Sequence, residues 1–351
     1  MSELYKLVKE QGFKAVAIVG ATKNVGKTVT FNHLAGEFNQ AGIRLGLLSA
    51  GYDGERFDRL TLKEKPRIYA PEGAIVATAE ACFDAADASM SMIEASDIST
   101  PLGIVCLGRV ESAGMVELAG PGSIKGLKQL IDKMTGYGAE QVLVDGAINR
   151  IASASPSVAE GIVLATGASL GHAMEDVVRK TIFRRQLLET SPVTDPLISK
   201  PAREGLEKGN AALLHRNGNS YQVEPIREEI PLLAGAQIVE KSTSKTGALV
   251  FGGALVDNIL EDIMDLFSVF PDIIVQDATR LFISPDVYYR FLNRGGKIYV
   301  LDGINLIAVT LNPTDPGGKS YDPKMFIERM QEALHPCPVF DLVYEDNQLK
   351  I

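Results

Sequence analysis

Short apolar blocks alternate along the chain with stretches in which apolar residues recur every three or four positions, which predicts a succession of strands and helices. Val16-Ala17-Ile18-Val19 reads as a buried strand, and Thr28 to Ala41 as a helix with Phe31, Leu34, Ala35 and Phe38 on one face. A strand is expected from Ile43 to Ser49, a short one from Arg67 to Ala70, and an alanine-rich helix from Ala74 to Met92. Strand character returns at Leu102 to Val110. Ser123 then reads as the N-cap of a helix carrying Ile124, Leu127, Leu130, Ile131 and Met134. Strands at Gln141–Asp145 and Gly161–Thr166 and a helix from Ala173 to Thr190 follow. The expected fold class is α/β, a mainly parallel sheet with helices on both faces.

Prolines at 192, 196 and 201 mark a boundary, so residues 1–190 are expected to form one domain and residues 191–351 a second, smaller α/β domain. The second opens with a hairpin around Arg216-Asn217-Gly218-Asn219-Ser220. Strands at 248–251, 272–275, 297–301, 306–311 and 339–344 then interleave with helices at 256–267, 285–292 and 323–334.

Composition narrows the classes. The 351 residues are 46% hydrophobic and 23% charged, as in ordinary globular proteins, and no apolar run approaches the ~18–20 residues that span a bilayer. The first twelve residues lack a signal-peptide core, and Cys82, Cys106 and Cys337 lie far apart, so a reducing cytoplasm is the expected location. His33, His172, His215 and His335 are scattered and suggest no metal cluster. Net charge is −9 and uneven: residues 1–190 hold 20 basic and 22 acidic side chains, residues 191–351 hold 15 and 22. The acidic second half argues against nucleic acid or an anionic membrane as a main partner and is compatible with a protein partner, or with nothing more than solubility.

The candidate chemistry begins at Gly20-Ala21-Thr22-Lys23-Asn24-Val25-Gly26-Lys27-Thr28, between the first strand and its helix. It reads as a phosphate loop of the G-x-x-x-x-G-K-[ST] kind, anchored by Gly20, Gly26, Lys27 and Thr28. Thr22 to Val29 would line the phosphates of ATP, Lys27 would reach the β- and γ-phosphates, and the Thr28 hydroxyl would ligate Mg²⁺. Asp145 ends a hydrophobic strand and is the leading carboxylate for the metal, with Asp53 and Glu55 as further metal candidates. Arg150 is a candidate transition-state cation. The glycine-rich stretch from Glu111 to Ser123 reads as a tight connection or an anion-binding turn. Ser242-Thr243-Ser244-Lys245-Thr246-Gly247 resembles a phosphate loop but lacks the Gly-Lys-Thr order, and reads as a decoy.

Two resemblances extend these readings. GATKNVGKT and Val144-Asp145-Gly146-Ala147 are similar to the corresponding segments of dethiobiotin-synthetase-like phosphate-loop proteins. In that family the loop carries acidic residues where Thr22 and Asn24 stand here. Over most of its length the chain resembles the phosphate-loop subunit of the reactivating factor for lysine 5,6-aminomutase. The segments are KNVGKTVTFN, GYDGE, KPRIYAPEG, TPLG, VDGAINRIASASPS and LATGA, in that order. This second resemblance implies a Mg-ATP-dependent ATPase, slow on its own, that works with a larger reactivase subunit on a cobalamin-dependent aminomutase; a homodimer is also open. The other reading is an ATP-dependent ligase or small-molecule kinase. The cobalamin-binding D-x-H-x-x-G pattern is absent, so the partner enzyme would hold any cobalamin.

Overall fold

The computed structural model describes residues 1–51, 67–147, 154–227 and 237–343. In chain order its elements are α1 (Glu3–Glu10), β1 (Ala15–Gly20), α2 (Lys27–Gln40), β2 (Leu45–Ser49), β3 (Ile68–Ala70), β4 (Ile75–Ala79) and α3 (Glu80–Asp84). β5 (Ser89–Thr100), β6 (Gly103–Ser112), β7 (Gly114–Val116), α4 (Ile124–Gly136), β8 (Gln141–Ala147), β9 (Gly161–Gly167) and α5 (Met174–Leu188) follow. Then come α6 (Pro196–Lys208), β10 (Ala211–Asn217), β11 (Ser220–Ile226), β12 (Thr246–Phe251), β13 (Leu255–Val256), α7 (Asp257–Leu266) and β14 (Asp272–Asp277). The remainder are β15 (Leu281–Phe282), α8 (Pro285–Asn293), β16 (Ile298–Asp302), β17 (Leu306–Asn312), α9 (Pro323–Leu334) and β18 (Val339–Phe340).

The chain divides into two compact units, Met1–Arg184 with Asn305–Ile351, and Arg185–Ile304. The first division falls between Arg184 and Arg185, ahead of the prolines at 192, 196 and 201, and the second unit ends at Ile304 instead of running on to residue 351. β17 pairs in parallel with β9, and β18 with β17, so residues after 304 return to the first sheet. Periodicity reveals that 306–311 is a strand but carries no information on which sheet accepts it.

The first unit holds a nine-stranded sheet in the order β18-β17-β9-β1-β8-β2-β4-β6-β5. The seven strands from β18 to β4 are parallel, and β6 and β5 add an antiparallel edge. Both faces are covered. Val16, Ile18, Leu45, Leu47 and Leu143 pack with α1 and α2 through Leu4, Phe31, Leu34 and Phe38. The intervening positions face the other way, where Met134 of α4 reaches the Gly46–Val142 surface. Burial of Phe31, Leu34 and Phe38 stabilises the helix that follows the candidate loop by roughly 1.5–3 kcal/mol for each side chain.

The expected helix at Ala74–Met92 is not formed. Ile75 to Ala79 make β4, fully buried between β2 and β6, and after the single turn of α3 the chain enters β5. Alanine favours helix by only a fraction of a kcal/mol per residue, and completing a buried ladder outweighs that preference. Burial, with help from the Glu117 carboxylate, pushes the Cys82 thiol up to about 11.

The second unit holds a five-stranded sheet, β11-β10-β12-β14-β16. Its β10–β11 hairpin turns at Gly218, whose φ is 59°, and its β12, β14 and β16 run parallel. Ala212, Leu214, Ala248, Val250 and Ile274 form its core with Ala202 of α6. Ser242–Gly247 leads into β12 instead of a helix, so it lacks the strand–loop–helix context of a phosphate loop. Among the described residues no helix is long and apolar enough to cross a membrane.

Candidate functional site

β1 sits inside the sheet between β8 and β9, and the chain leaves its carboxyl end at Gly20 to begin α2 at Lys27. Five residues separate Gly20 from Gly26, one more than G-x-x-x-x-G-K-[ST] specifies, so Ala21 takes the first position of that spacing and Gly20 remains in the strand. The loop folds back over the strand end. A Cβ on Gly20 would lie 3.0 Å from the Thr22 carbonyl oxygen and 3.2 Å from Val25 Cγ2. Val25 is buried, whereas Lys23, Asn24 and Val29 are exposed, and Thr22 and Thr28 are half-buried.

Two left-handed residues close the turn. Asn24 has φ 61°, the only positive value among the described non-glycine residues, and Gly26 has φ 84°. Gly26 is the N-cap of α2 and supplies no side chain to the first helical N–H groups. Those donors, at the positive end of the helix dipole, form a surface that an anion can occupy. Gly26→Ala should lower unfolding stability by about 1–2 kcal/mol through the left-handed backbone alone. Its Cβ would also lie 3.2 Å from Asn312 Cβ. A denaturant midpoint equal to wild type would show that the turn relaxes elsewhere.

Lys27 reaches across to β8. Its Nζ lies 3.0 Å from Asp145 Oδ1 and 3.1 Å from Oδ2, with the directed hydrogen bond going to Oδ2. Asp145 Oδ1 is buried and receives no hydrogen bond. Sheet register fixes the carboxylate: Asp145 is the partner of Ile18 on β1 and of Ser49 on β2. Its carbonyl accepts from Ala50 N at 2.9 Å and from Ser49 Oγ at 3.3 Å. The structure thus brings Lys27 and Asp145 together. Asp53, Glu55 and Arg150 lie outside the described residues. Among the described residues no group of three His, Cys, Asp or Glu side chains gathers into a protein-only metal site.

Other neighbours were not visible in the sequence. Ser169 Oγ, just beyond β9, donates to the Asn24 carbonyl at 3.3 Å, and Asn312 Nδ2, at the end of β17, donates to the same oxygen at 3.2 Å. Thr30 and Thr310 share a buried hydroxyl–hydroxyl hydrogen bond of 2.8 Å. Lys319 Nζ donates to the carbonyls of Ala168 and Gly171, tying the segment after β17 to the one after β9. On the other side of β8, Gly120 lies so close to the end of β2 that a Cβ there would be 1.7 Å from the Ser49 carbonyl oxygen. Gly51 N donates to Pro121 O at 3.0 Å, and Ser123 caps α4 by accepting from Gly126 N. The 117–123 stretch is a tight connection that places the start of α4 at the same sheet edge.

No family model matches the chain, and neither a curated protein nor a solved structure matches it.

Proposed function

We propose that the chain binds Mg-ATP at the Gly20–Thr28 loop and hydrolyses it slowly, as the reactivating subunit of a cobalamin-dependent lysine or ornithine aminomutase. The observation that carries the nucleotide part is the Lys27–Asp145 pair at the carboxyl edge of β1 and β8. From β1 the chain proceeds through α2 to β2 on one side, while β9, β17 and β18 lie on the other. Open α/β sheets bind ligands at such a reversal of strand order.

The residues suit their roles. Without nucleotide, Asp145 neutralises Lys27; with it, Lys27 turns to the β- and γ-phosphates and the carboxylate becomes available. The Asp145 carboxylate, once released by Lys27, and the Thr28 hydroxyl would hold Mg²⁺, which when bound would neutralise phosphate charge. Hydrolysis passes the γ-phosphoryl group to water and releases ADP and phosphate, so the protein's part is positioning and electrostatic.

The aminomutase part rests on the ordered segments that resemble the reactivating factor. ATP and partner binding would then be linked reciprocally, with a coupling of ~1–3 kcal/mol, or roughly 5–150-fold in affinity. Titrating the cobalamin-bound aminomutase, with the larger reactivase subunit, into protein held with an ATP analogue or with ADP should give different affinities and a stimulated hydrolysis rate. Equal affinities and an unchanged rate would favour the ligase or kinase reading. One feature supports that alternative: the Gly120–Ser123 turn brings the start of α4 to the strand end beside Asp145, where a second substrate could sit.

A further inference from the structure

The Asn24 carbonyl is held from two directions by residues remote in sequence, Ser169 beyond β9 and Asn312 at the end of β17. Asn24 is the left-handed, non-glycine residue of the loop, two positions before Gly26 and three before Lys27. Its backbone is costly in isolation and persists where the surroundings over-determine it. We infer that Asn312 is a positioning residue for the phosphate loop, holding it in its anion-ready shape before any phosphate arrives. This rests on the nucleotide reading above and deepens it.

Several features fix Asn312 itself. Its Oδ1 accepts from Thr314 N at 3.2 Å and Thr314 Oγ1 at 3.0 Å, which leaves Nδ2 directed at Asn24. A Cβ added to Gly167 would meet the Asn312 carbonyl oxygen at 2.3 Å, so only glycine at the end of β9 lets β17 approach this closely. The same Asn312 side chain lies where a Cβ on Gly26 would point. The contact therefore joins three consecutive strands of the sheet, β17, β9 and β1, at the loop. A loop fixed beforehand pays less ordering entropy when it binds, so the contact acts on phosphate affinity regardless of the base attached.

Asn312→Leu tests this role, since it keeps nearly the same bulk and adds no charge beside the loop, but removes the donor to Asn24 O. Calorimetric titration with Mg-ATP and with inorganic tripolyphosphate should show the same loss for both probes, about tenfold, the scale of one hydrogen bond at a preorganised site. The ligand-free denaturation midpoint should stay near wild type. Loss for ATP alone would overturn the inference and make Asn312 a base contact, and undiminished affinity for both probes would overturn it outright. Wild-type protein that binds neither probe would instead overturn the nucleotide reading and this inference with it. Should Asn312→Leu fail to fold, Ser169→Ala removes the second donor to the same oxygen and should weaken both probes about threefold. No loss there would count against the clamp.

Discussion

Lys27→Ala should abolish the rise in melting temperature that Mg-ATP confers on the wild-type protein. A ligand at ~100 times its dissociation constant stabilises the folded state by about 2.7 kcal/mol, and for a unit of ~150–250 residues this amounts to about 5–10 °C. The substitution removes the cation for the β- and γ-phosphates while leaving the loop backbone intact. It also removes the partner of the Asp145 carboxylate, so the ligand-free protein should melt somewhat lower. The informative quantity is the difference with and without nucleotide, read by scanning fluorimetry or calorimetry. A difference equal to wild type would exclude Lys27 from the site.

Asp145→Asn should separate binding from turnover. In the ligand-free protein Asp145 pairs with Lys27, 3.0 Å and 3.1 Å from its two oxygens, so on the proposed reading it would compete with phosphate for that cation. Removing the charge should leave Mg-free ATP affinity unchanged or improved. The gain in affinity on adding Mg²⁺ should fall, and hydrolysis should fall by about a hundredfold, the usual cost of losing one preorganised electrostatic group. Hydrolysis measured across a Mg²⁺ titration decides this. Turnover equal to wild type at every concentration would move the metal carboxylate to another residue.

The sequence was most informative where the pattern was local. The apolar period of Phe31, Leu34 and Phe38, the strand Val16–Val19 and the Ser123 cap each appear where expected, since each depends on residues within a few positions. Gly26 also announces itself, because a left-handed turn before a helix restricts what can stand there. Pairing of distant segments was not legible. Nothing in Leu306–Asn312 distinguishes a strand that continues the second unit from one that returns to β9, so the share of Asn312 and Thr310 in the loop went unforeseen. The Ala74–Met92 stretch failed for a related reason. When both faces of a strand are buried the alternation vanishes, and alanine within such a run suggests helix.

Unit boundaries bear on function as well. Because β17 and β18 belong to the first sheet, the second unit ends at Ile304, and the acidic excess after residue 190 is divided between the two. A docking surface sought by charge alone should therefore be mapped on Arg185–Ile304 and on the returning segment separately.

The most direct test is a crystal structure of the protein with Mg²⁺ and a non-hydrolysable ATP analogue. The account requires the triphosphate to lie along Gly20–Thr28 at the start of α2, with Lys27 Nζ moved from Asp145 to the β- and γ-phosphates, and Asp145 turned to the metal or its waters. A nucleotide bound elsewhere, with the Lys27–Asp145 pair intact, would contradict it.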